Sequence, residues 1–275
     1  MGRDDAIAGL RGALNRLARL ATGIVLLFDA PAAAAQQPSA DPAPGAIEPC
    51  APIPIVARPD APATAPGAPP AMRRPRDFPN LCRYRDDNAA ILRAGRHAKV
   101  VFLGDSITEF WQSAQPDLFD DKVVDRGISG QTTPQMLLRF YADVVALHPR
   151  VVHIMAGTND IAGNTGPMTD DQIFDNIRAM LDIAAVNHIR VVLGSITPAT
   201  ANSRNRPPAR ILALNARLRE LARQRGAIFV DYYTPLSDGR NNIRAAFTHD
   251  GLHPNRDGYA VMRPLTERAL AQALR

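Results

Sequence analysis

Downstream of residue 77 the hydrophobic positions fall into two alternating patterns. Short, nearly continuous apolar runs occur at Lys99–Leu103 (KVVFL), Lys122–Asp125 (KVVD), Arg150–Met155 (RVVHIM), Arg190–Leu193 (RVVL) and Ala227–Val230 (AIFV). Unbroken β-branched runs of this length belong to strands buried on both faces, since a strand with one wet face alternates. Between them lie longer stretches with the period of an amphipathic helix. Thr133–Leu147 opens on Thr-Pro, and Pro134 suits a first helical turn. Thr169–Asn187 opens TDDQ, so Thr169 can cap a helix to which Gln172 reaches back. Pro208–Arg225 stops before Gly226, the residue type that ends helices in a left-handed turn. Asp257–Leu274 supplies the last helix, with Asp257 as its expected N-cap. Strands alternating with helices predict a three-layer α/β/α sandwich around a five-stranded parallel sheet with right-handed crossovers.

Upstream this pattern is lost. Residues 36–76 are rich in Pro and Ala and carry no hydrophobic period. Such a stretch buries too little apolar surface to offset its ordering entropy, so it is expected to be a disordered or polyproline-like linker, with the folded domain at 77–275. Within residues 1–35, Arg11, Arg16 and Arg19 precede the apolar run Leu20–Phe28, and the small-residue stretch PAAAA follows. This is the order of a secretory signal, with Ala33-x-Ala35 as its cleavage site, and it predicts an exported, periplasmic or secreted protein. The long leading segment carries Asp4 and Asp5, which leaves an uncleaved N-terminal anchor as the alternative, although the run is short for a bilayer. No other segment is long enough to span a membrane. The two cysteines, Cys50 and Cys82, form no C-x-x-C and are too few for a zinc site; a single disulfide and two free thiols both stay open.

The formal charge is +5, which raises the question of an acidic partner. Among the 32 basic residues only Lys99 and Lys122 are lysine, and the arginines are scattered rather than striped, so a nucleic-acid partner is not expected. Arg204, Arg206, Arg210, Arg217, Arg219, Arg223 and Arg225 do crowd the Pro208–Arg225 helix and the loop before it. Ile211, Leu214, Leu218 and Leu221 form the apolar stripe of that helix, and its arginines are expected on the solvated face.

In an open parallel sheet ligands bind outside the carboxyl ends of the strands, so the residues that follow each strand carry the most information. After the first come Gly104-Asp105-Ser106; after the second, Arg126-Gly127-Ile128-Ser129-Gly130; after the third, Ala156-Gly157-Thr158-Asn159-Asp160. Near the C-terminus lies Thr248-His249-Asp250-Gly251-Leu252-His253-Pro254, where Gly and Pro forbid a regular helix. Taken singly, each has an ordinary explanation. Asp105 or Ser106 can cap the following helix, Gly130 can serve a turn, and Asn159 or Asp160 can form an Asx-turn. Together, a hydroxyl, a backbone amide beside glycine, a side-chain amide and an Asp–His pair are the parts needed for acyl transfer: nucleophile, oxyanion donors, base and orienting acid.

The ordered set GDSIT, RGISGQTT, GTND and DGLHP, spread from Lys99 to Tyr259, resembles the four blocks of the SGNH (GDSL-type) hydrolase superfamily, and the extended matches GISGQTTPQM and GTNDIAGNTGP are similar to its bacterial arylesterase/acylhydrolase branch, related to xylan-degradation esterases. The resemblance implies a flavodoxin-like SGNH fold. It implies Ser106 as nucleophile, His253 as base and Asp250 as its orienting acid, with the N–H groups of Ser106 and Gly130 and the Asn159 side chain as oxyanion hole. No metal and no cofactor are expected. The α/β-hydrolase nucleophile elbow is a different motif, because Thr108 stands where that elbow needs a second glycine.

Other side chains nearby are expected to be bystanders. His249 is expected at the surface or beside the site, Asp105 and Asp160 as loop braces, and His97, His148, His153 and His188 as structural or exposed groups. The i, i+4 pair His249 and His253 suggests zinc only on a helix, which Gly251 and Pro254 rule out. Phe110 and Trp111 are expected in packing, with a pocket-lining role shared by the loop Thr197–Pro208 as the alternative. The branch implies a small-molecule or polysaccharide ester as partner, with short O-acyl groups such as acetyl. A lysophospholipase or thioesterase acting on longer chains is the second reading, and a catalytically silent glycan- or lipid-binding module the third. The oligomeric state is not legible.

Overall fold

The computed structural model describes residues 77–200 and 205–275. The signal or anchor segment 1–35, the linker 36–76 and Cys50 lie outside the described residues. Five parallel strands form one sheet in the order β2-β1-β3-β4-β5: β1 Val100–Gly104, β2 Val123–Gly127, β3 Val151–Met155, β4 Arg190–Gly194 and β5 Ile228–Val230. All five expected strands are present, each displaced by a few residues at most. The order reverses between β1 and β3, so the crevice that such a sheet offers a ligand opens at the carboxyl ends of these two strands.

Alternate residues of each strand feed two separate cores. Val101 and Leu103, Val152 and Ile154, and Val191 and Leu193 face one side. There they meet α3 (Thr133–Asp143) through Met136 and Phe140, α5 (Asp170–Val186) through Ile173, Ile177 and Met180, and α6 (Pro208–Arg225) through Ile211, Leu214 and Leu218. Val100, Phe102, Val151 and Val192 face the other side. They meet α2 (Ser106–Ala114) through Ile107 and Trp111, and α8 (Arg256–Ala273) through Tyr259, Met262 and Leu270. Both faces are therefore dry, which is why the strand sequences do not alternate in polarity. Burying one such side chain is worth about 1.5–3 kcal/mol, so the two cores dominate the stability of the domain. The short helices α1 (Arg85–Arg93), α4 (Thr158–Ala162) and α7 (Tyr233–Leu236) complete the described elements, with a few 3-10 turns.

Helix ends follow local chemistry. Thr169 caps α5 in a reciprocal capping box with Gln172, and Gly226 ends α6 at φ 66°, both as expected. Two expectations need correction. The helix from Thr133 stops at Asp143; Val145–Leu147 tightens into a 3-10 turn and His148 turns left-handed (φ 50°) ahead of Pro149, which cannot continue a helix. The N-cap of α8 is Asn255, not Asp257. The Asn255 side chain accepts the Gly258 N–H at 3.0 Å, and its own N–H bonds the Phe247 carbonyl at 2.8 Å, so the loop delivers Asn255 to the helix entrance. Asp257 lies inside the first turn, where its charge suits the helix dipole.

Cys82 is disulfide-bonded, which sets aside the free-thiol alternative for it. Among the described residues no helix is long and apolar enough to cross a membrane.

Candidate active site

The carboxyl ends of β1, β2 and β3 stand in register, with Gly104 opposite both Gly127 and Met155. The residues after them are therefore neighbours in space. The chain turns from β1 into α2 at once, and Asp105 is the helix cap: its carboxylate accepts the Ile107 N–H at 2.9 Å. That releases the next residue. Ser106, the first residue of α2, points its hydroxyl at His253, with Oγ 2.9 Å from Nε2. So tight a junction requires glycine on the neighbouring strand, because a Cβ on Gly127 would lie 2.2 Å from the Glu109 backbone nitrogen of α2.

His253 arrives from the far end of the sequence on the loop between residues 247 and 255. This loop closes on itself through a bridge between Thr248 and Pro254. The other ring nitrogen, Nδ1, lies 2.6 Å from Asp250 Oδ2. Asp250 Oδ1 accepts the backbone N–H groups of Leu252 and His253, each at 2.9 Å. Burial raises the pKa of Asp250, but the hydrogen bonds from the His253 ring and from these two amides outweigh it and hold the carboxyl well below the usual carboxylate range. Asp250 is thus a fixed anion that selects the tautomer with the proton on Nδ1, leaving Nε2 as acceptor for the serine hydroxyl. Helix α8 is tied to the serine helix by Tyr259, whose hydroxyl donates to the Ile107 carbonyl at 2.7 Å.

The three candidate oxyanion donors lie just beyond the carboxyl ends of β1, β2 and β3. The N–H groups of Ser106 and Gly130 have no protein acceptor among the described residues. Asn159, on α4, gives one Nδ2 hydrogen to the Gln131 carbonyl at 3.0 Å, and the other has no acceptor among the described residues. The loop carrying Gly130 is clamped from two sides. Glu109 of α2 accepts both the backbone N–H of Ser129 (2.8 Å) and its hydroxyl, while Asn164 donates to the Gly130 carbonyl at 3.0 Å. Arg83 neutralises Glu109 from outside at 3.1 Å.

Asp105 and Asp160 serve as braces. Asp160 accepts from Thr133 N (2.9 Å) and Thr133 Oγ1 (2.6 Å), joining the third loop to α3. Burial pushes the Asp105 carboxyl up to about 6 and raises Asp160 as well. His249, His97, His148 and His188 are exposed. His153 is wholly buried in β3 against the Tyr232 hydroxyl at 2.8 Å, and burial pushes its pKa down to about 3. Trp111 is wholly buried among Phe102, Tyr232 and Tyr259, so it packs and does not line a pocket. Phe110 is half-exposed, its ring 5.2 Å from the His253 ring, which places it at the rim of the site.

Arg206 and Arg210 depart from the expectation of a solvated face, and arginines outside that helix are buried as well. Arg139 of α3, which the sequence pattern does not single out, is completely buried. It donates to the Gly104 carbonyl at 2.9 Å, to the Arg126 carbonyl at 2.8 Å and to the Gln131 side chain at 2.6 Å, while pairing with Asp143 at 3.1 Å. Arg206 is buried at 6% exposure and reaches Thr158 and Asn159. Arg210 is half-buried and holds Asp170 and the Met168 carbonyl. In each case fixed acceptors replace water, which helical periodicity cannot reveal.

The sheet order, the glycine-lined strand ends and the Ser–His–Asp chain place this molecule among α/β enzymes with a serine at the strand-to-helix turn. The chain belongs to the GDSL-like lipase/acylhydrolase family, which it matches over residues 102–261, and it is a carboxylic ester hydrolase. It is 24% identical over 204 residues to an acetylxylan esterase of Geobacillus stearothermophilus, covering 62% of this chain and 93% of that protein. Among solved structures it is similar to one assigned as an acylhydrolase from Bacteroides fragilis (42% identity, TM-score 0.68, 73% of this chain and all of the other). It is also similar to a GDSL-like lipase from Bacteroides thetaiotaomicron (40% identity, TM-score 0.66, 71% of this chain and 99% of the other).

Proposed function

We propose that the chain hydrolyses short-chain O-acyl esters, acetyl esters foremost, through a Ser106–His253–Asp250 triad. The observation that carries this is the unbroken contact chain from Ser106 Oγ through the imidazole to Asp250, 2.9 Å and then 2.6 Å. Serine is a weak nucleophile until a base takes its proton. As Oγ bonds to the ester carbonyl carbon, its proton passes to His253 Nε2, and the imidazolium is stabilised by the Asp250 carboxylate. The carbonyl oxygen becomes an anion facing the N–H groups of Ser106 and Gly130 and the free Nδ2 hydrogen of Asn159. Collapse breaks the ester C–O bond, and His253 returns the proton to the departing alcohol oxygen. Water then attacks the acyl-serine by the same route, with His253 first accepting its proton and then giving it to Ser106, so the acid is released and the enzyme restored.

The acetylxylan esterase likeness supports acetyl groups on carbohydrate as substrate. A rate comparison across p-nitrophenyl acetate, butyrate, decanoate and acetylated xylan tests the acyl length. A preference for decanoate would replace this reading with a lysophospholipase or thioesterase. Covalent labelling by a fluorophosphonate, lost in Ser106→Ala, tests the nucleophile; folded protein that takes no label would support a binding module instead. The order of the N-terminal segment supports export of this esterase, and sequencing the N-terminus of protein recovered outside the cytoplasm tests it.

A further inference from the structure

Arg206 is held where no surface arginine would be. Its Nε donates to the Thr158 hydroxyl at 2.9 Å and to the Thr158 carbonyl at 3.1 Å, and its Nη2 lies 3.2 Å from Asn159 Oδ1. Pro207 and Pro208 follow it directly and restrict the backbone that carries it. The Asn159 carboxamide is therefore gripped at both ends. Its oxygen faces a buried guanidinium, one of its N–H groups is bound to the Gln131 carbonyl, and the second N–H remains for a ligand.

We propose that Arg206 is a positioning residue of the esterase, orienting and polarising the Asn159 amide so that its free N–H is a stronger donor to the oxyanion. This rests on the oxyanion role of Asn159 proposed above. The cation lies on the oxygen side of the amide and the developing anion on the nitrogen side, so the amide dipole is aligned between opposite charges. Buried groups are screened little, and a chain of hydrogen bonds polarises along its length. The gain grows as negative charge builds on the substrate oxygen and is small for the neutral ester. It therefore belongs to kcat and not to KM.

The test measures kcat and KM on p-nitrophenyl acetate, and inhibition by a phenylboronic acid that forms a tetrahedral adduct on serine. The proteins are the wild type, Arg206→Met, Arg206→Lys, Asn159→Ala and each Arg206 variant combined with Asn159→Ala. Arg206→Met is expected to lower kcat about 10–100-fold with KM nearly unchanged, as for a lost charge-assisted hydrogen bond. Boronate affinity is expected to fall in parallel. In the Asn159→Ala background the same substitution is expected to change kcat by less than about two-fold. Arg206→Lys keeps the buried cation without the fork, and covers the case in which the methionine variant does not fold. Its smaller loss is likewise expected to vanish in the Asn159→Ala background. Losses that persist undiminished in that background, or a raised KM with kcat retained, overturn the proposal. Full activity in Ser106→Ala or in Asn159→Ala would instead overturn the underlying reading. Loss in both of those variants together with additive Arg206 effects removes the Arg206 inference alone.

Discussion

His253 Nδ1 lies 2.6 Å from Asp250 Oδ2, while the other oxygen of the same carboxylate accepts the His253 backbone N–H at 2.9 Å. A single side chain thus fixes both the backbone and the ring of His253. Replacement by asparagine keeps the size but puts an amide N–H or a weaker acceptor against Nδ1, so the tautomer that frees Nε2 loses its anchor. Asp250→Asn is expected to lower kcat by about 10³–10⁴ with little change in KM. A loss of less than about ten-fold would mean that the anion is not needed. Because hydrogen bonding holds the Asp250 carboxyl below the usual range, it stays ionised in mild acid, so a fall in activity there does not come from this carboxylate. Comparing the pH–rate profiles of wild type and Asp250→Asn checks this; the same acid limb in both is expected, and a limb lost in the variant would assign it to Asp250.

The buried pair Arg139–Asp143 is the structural counterpart of that site. It holds three backbone and side-chain acceptors at the ends of β1 and β2, and Asn88 supplies Asp143 with one further hydrogen bond at 2.7 Å. Arg139→Met leaves a buried carboxylate and two carbonyls without their cation. A loss of about 3–5 kcal/mol is expected in urea unfolding, and Arg139→Met/Asp143→Leu should recover part of it. An unchanged unfolding midpoint would show that this network does not hold the strand ends.

These arginines mark the limit of what the sequence carries. The five strands are legible because a sheet covered on both faces leaves unbroken apolar runs, and the loops after them because glycine and small polar residues cluster there. The adjacent pair Asp105 and Ser106 is not resolved by propensity, since either can cap a helix; the structure gives the cap to aspartate and leaves the serine hydroxyl on His253. The cap of the last helix, expected at Asp257, falls on Asn255, because the chain's path out of the His253 loop brings that side chain to the helix entrance. Arg139, Arg206 and Arg210 look like surface residues by residue type, because what buries them is a set of acceptors distant in sequence. Such pairing appears only after the strands are ordered.

Asp125, in β2, gives a pH dependence of stability. Burial, the largest cause, pushes its carboxyl up to about 7 against the hydrogen bond from the Gly127 N–H, and its Oδ2 has no partner among the described residues. The folded state therefore binds this proton more tightly than the unfolded chain, where an aspartate titrates near 3.9. The stabilisation is fully present below about pH 4 and is lost as pH rises to about 7. At about 1.4 kcal/mol per decade the change attributable to Asp125 is on the order of 4 kcal/mol. Asp125→Asn keeps the acceptor for Gly127 and removes the titration. Its stability relative to wild type is expected to improve as pH is raised from 4 to 8, read as the difference in urea midpoints. A difference that does not vary with pH would exclude Asp125 as the source.

Gly251 separates the structural and chemical demands on the His253 loop. Its φ is +79°, and a Cβ there would lie 2.3 Å from Thr200 Oγ1 and 2.9 Å from Thr200 Cγ2. The Thr200 N–H bonds the Gly251 carbonyl at 2.8 Å, so neither partner can withdraw without moving the loop. Gly251→Ala adds the left-handed penalty of about 1–2 kcal/mol to this overlap. The loop shifts, and Asp250 and His253, on either side of it, move off the serine. Misplacement of about 1 Å costs on the order of 10²-fold in rate, so activity on p-nitrophenyl acetate should fall far more than the melting temperature. Thr200→Ala in the Gly251→Ala background removes the two closest contacts but leaves the Cβ of residue 200 at 3.1 Å and the backbone strain, so it should restore part of the rate and little of the stability. Equal recovery of both would mean that the overlap alone set the loop, and undiminished activity in Gly251→Ala would mean that the loop geometry does not control the base.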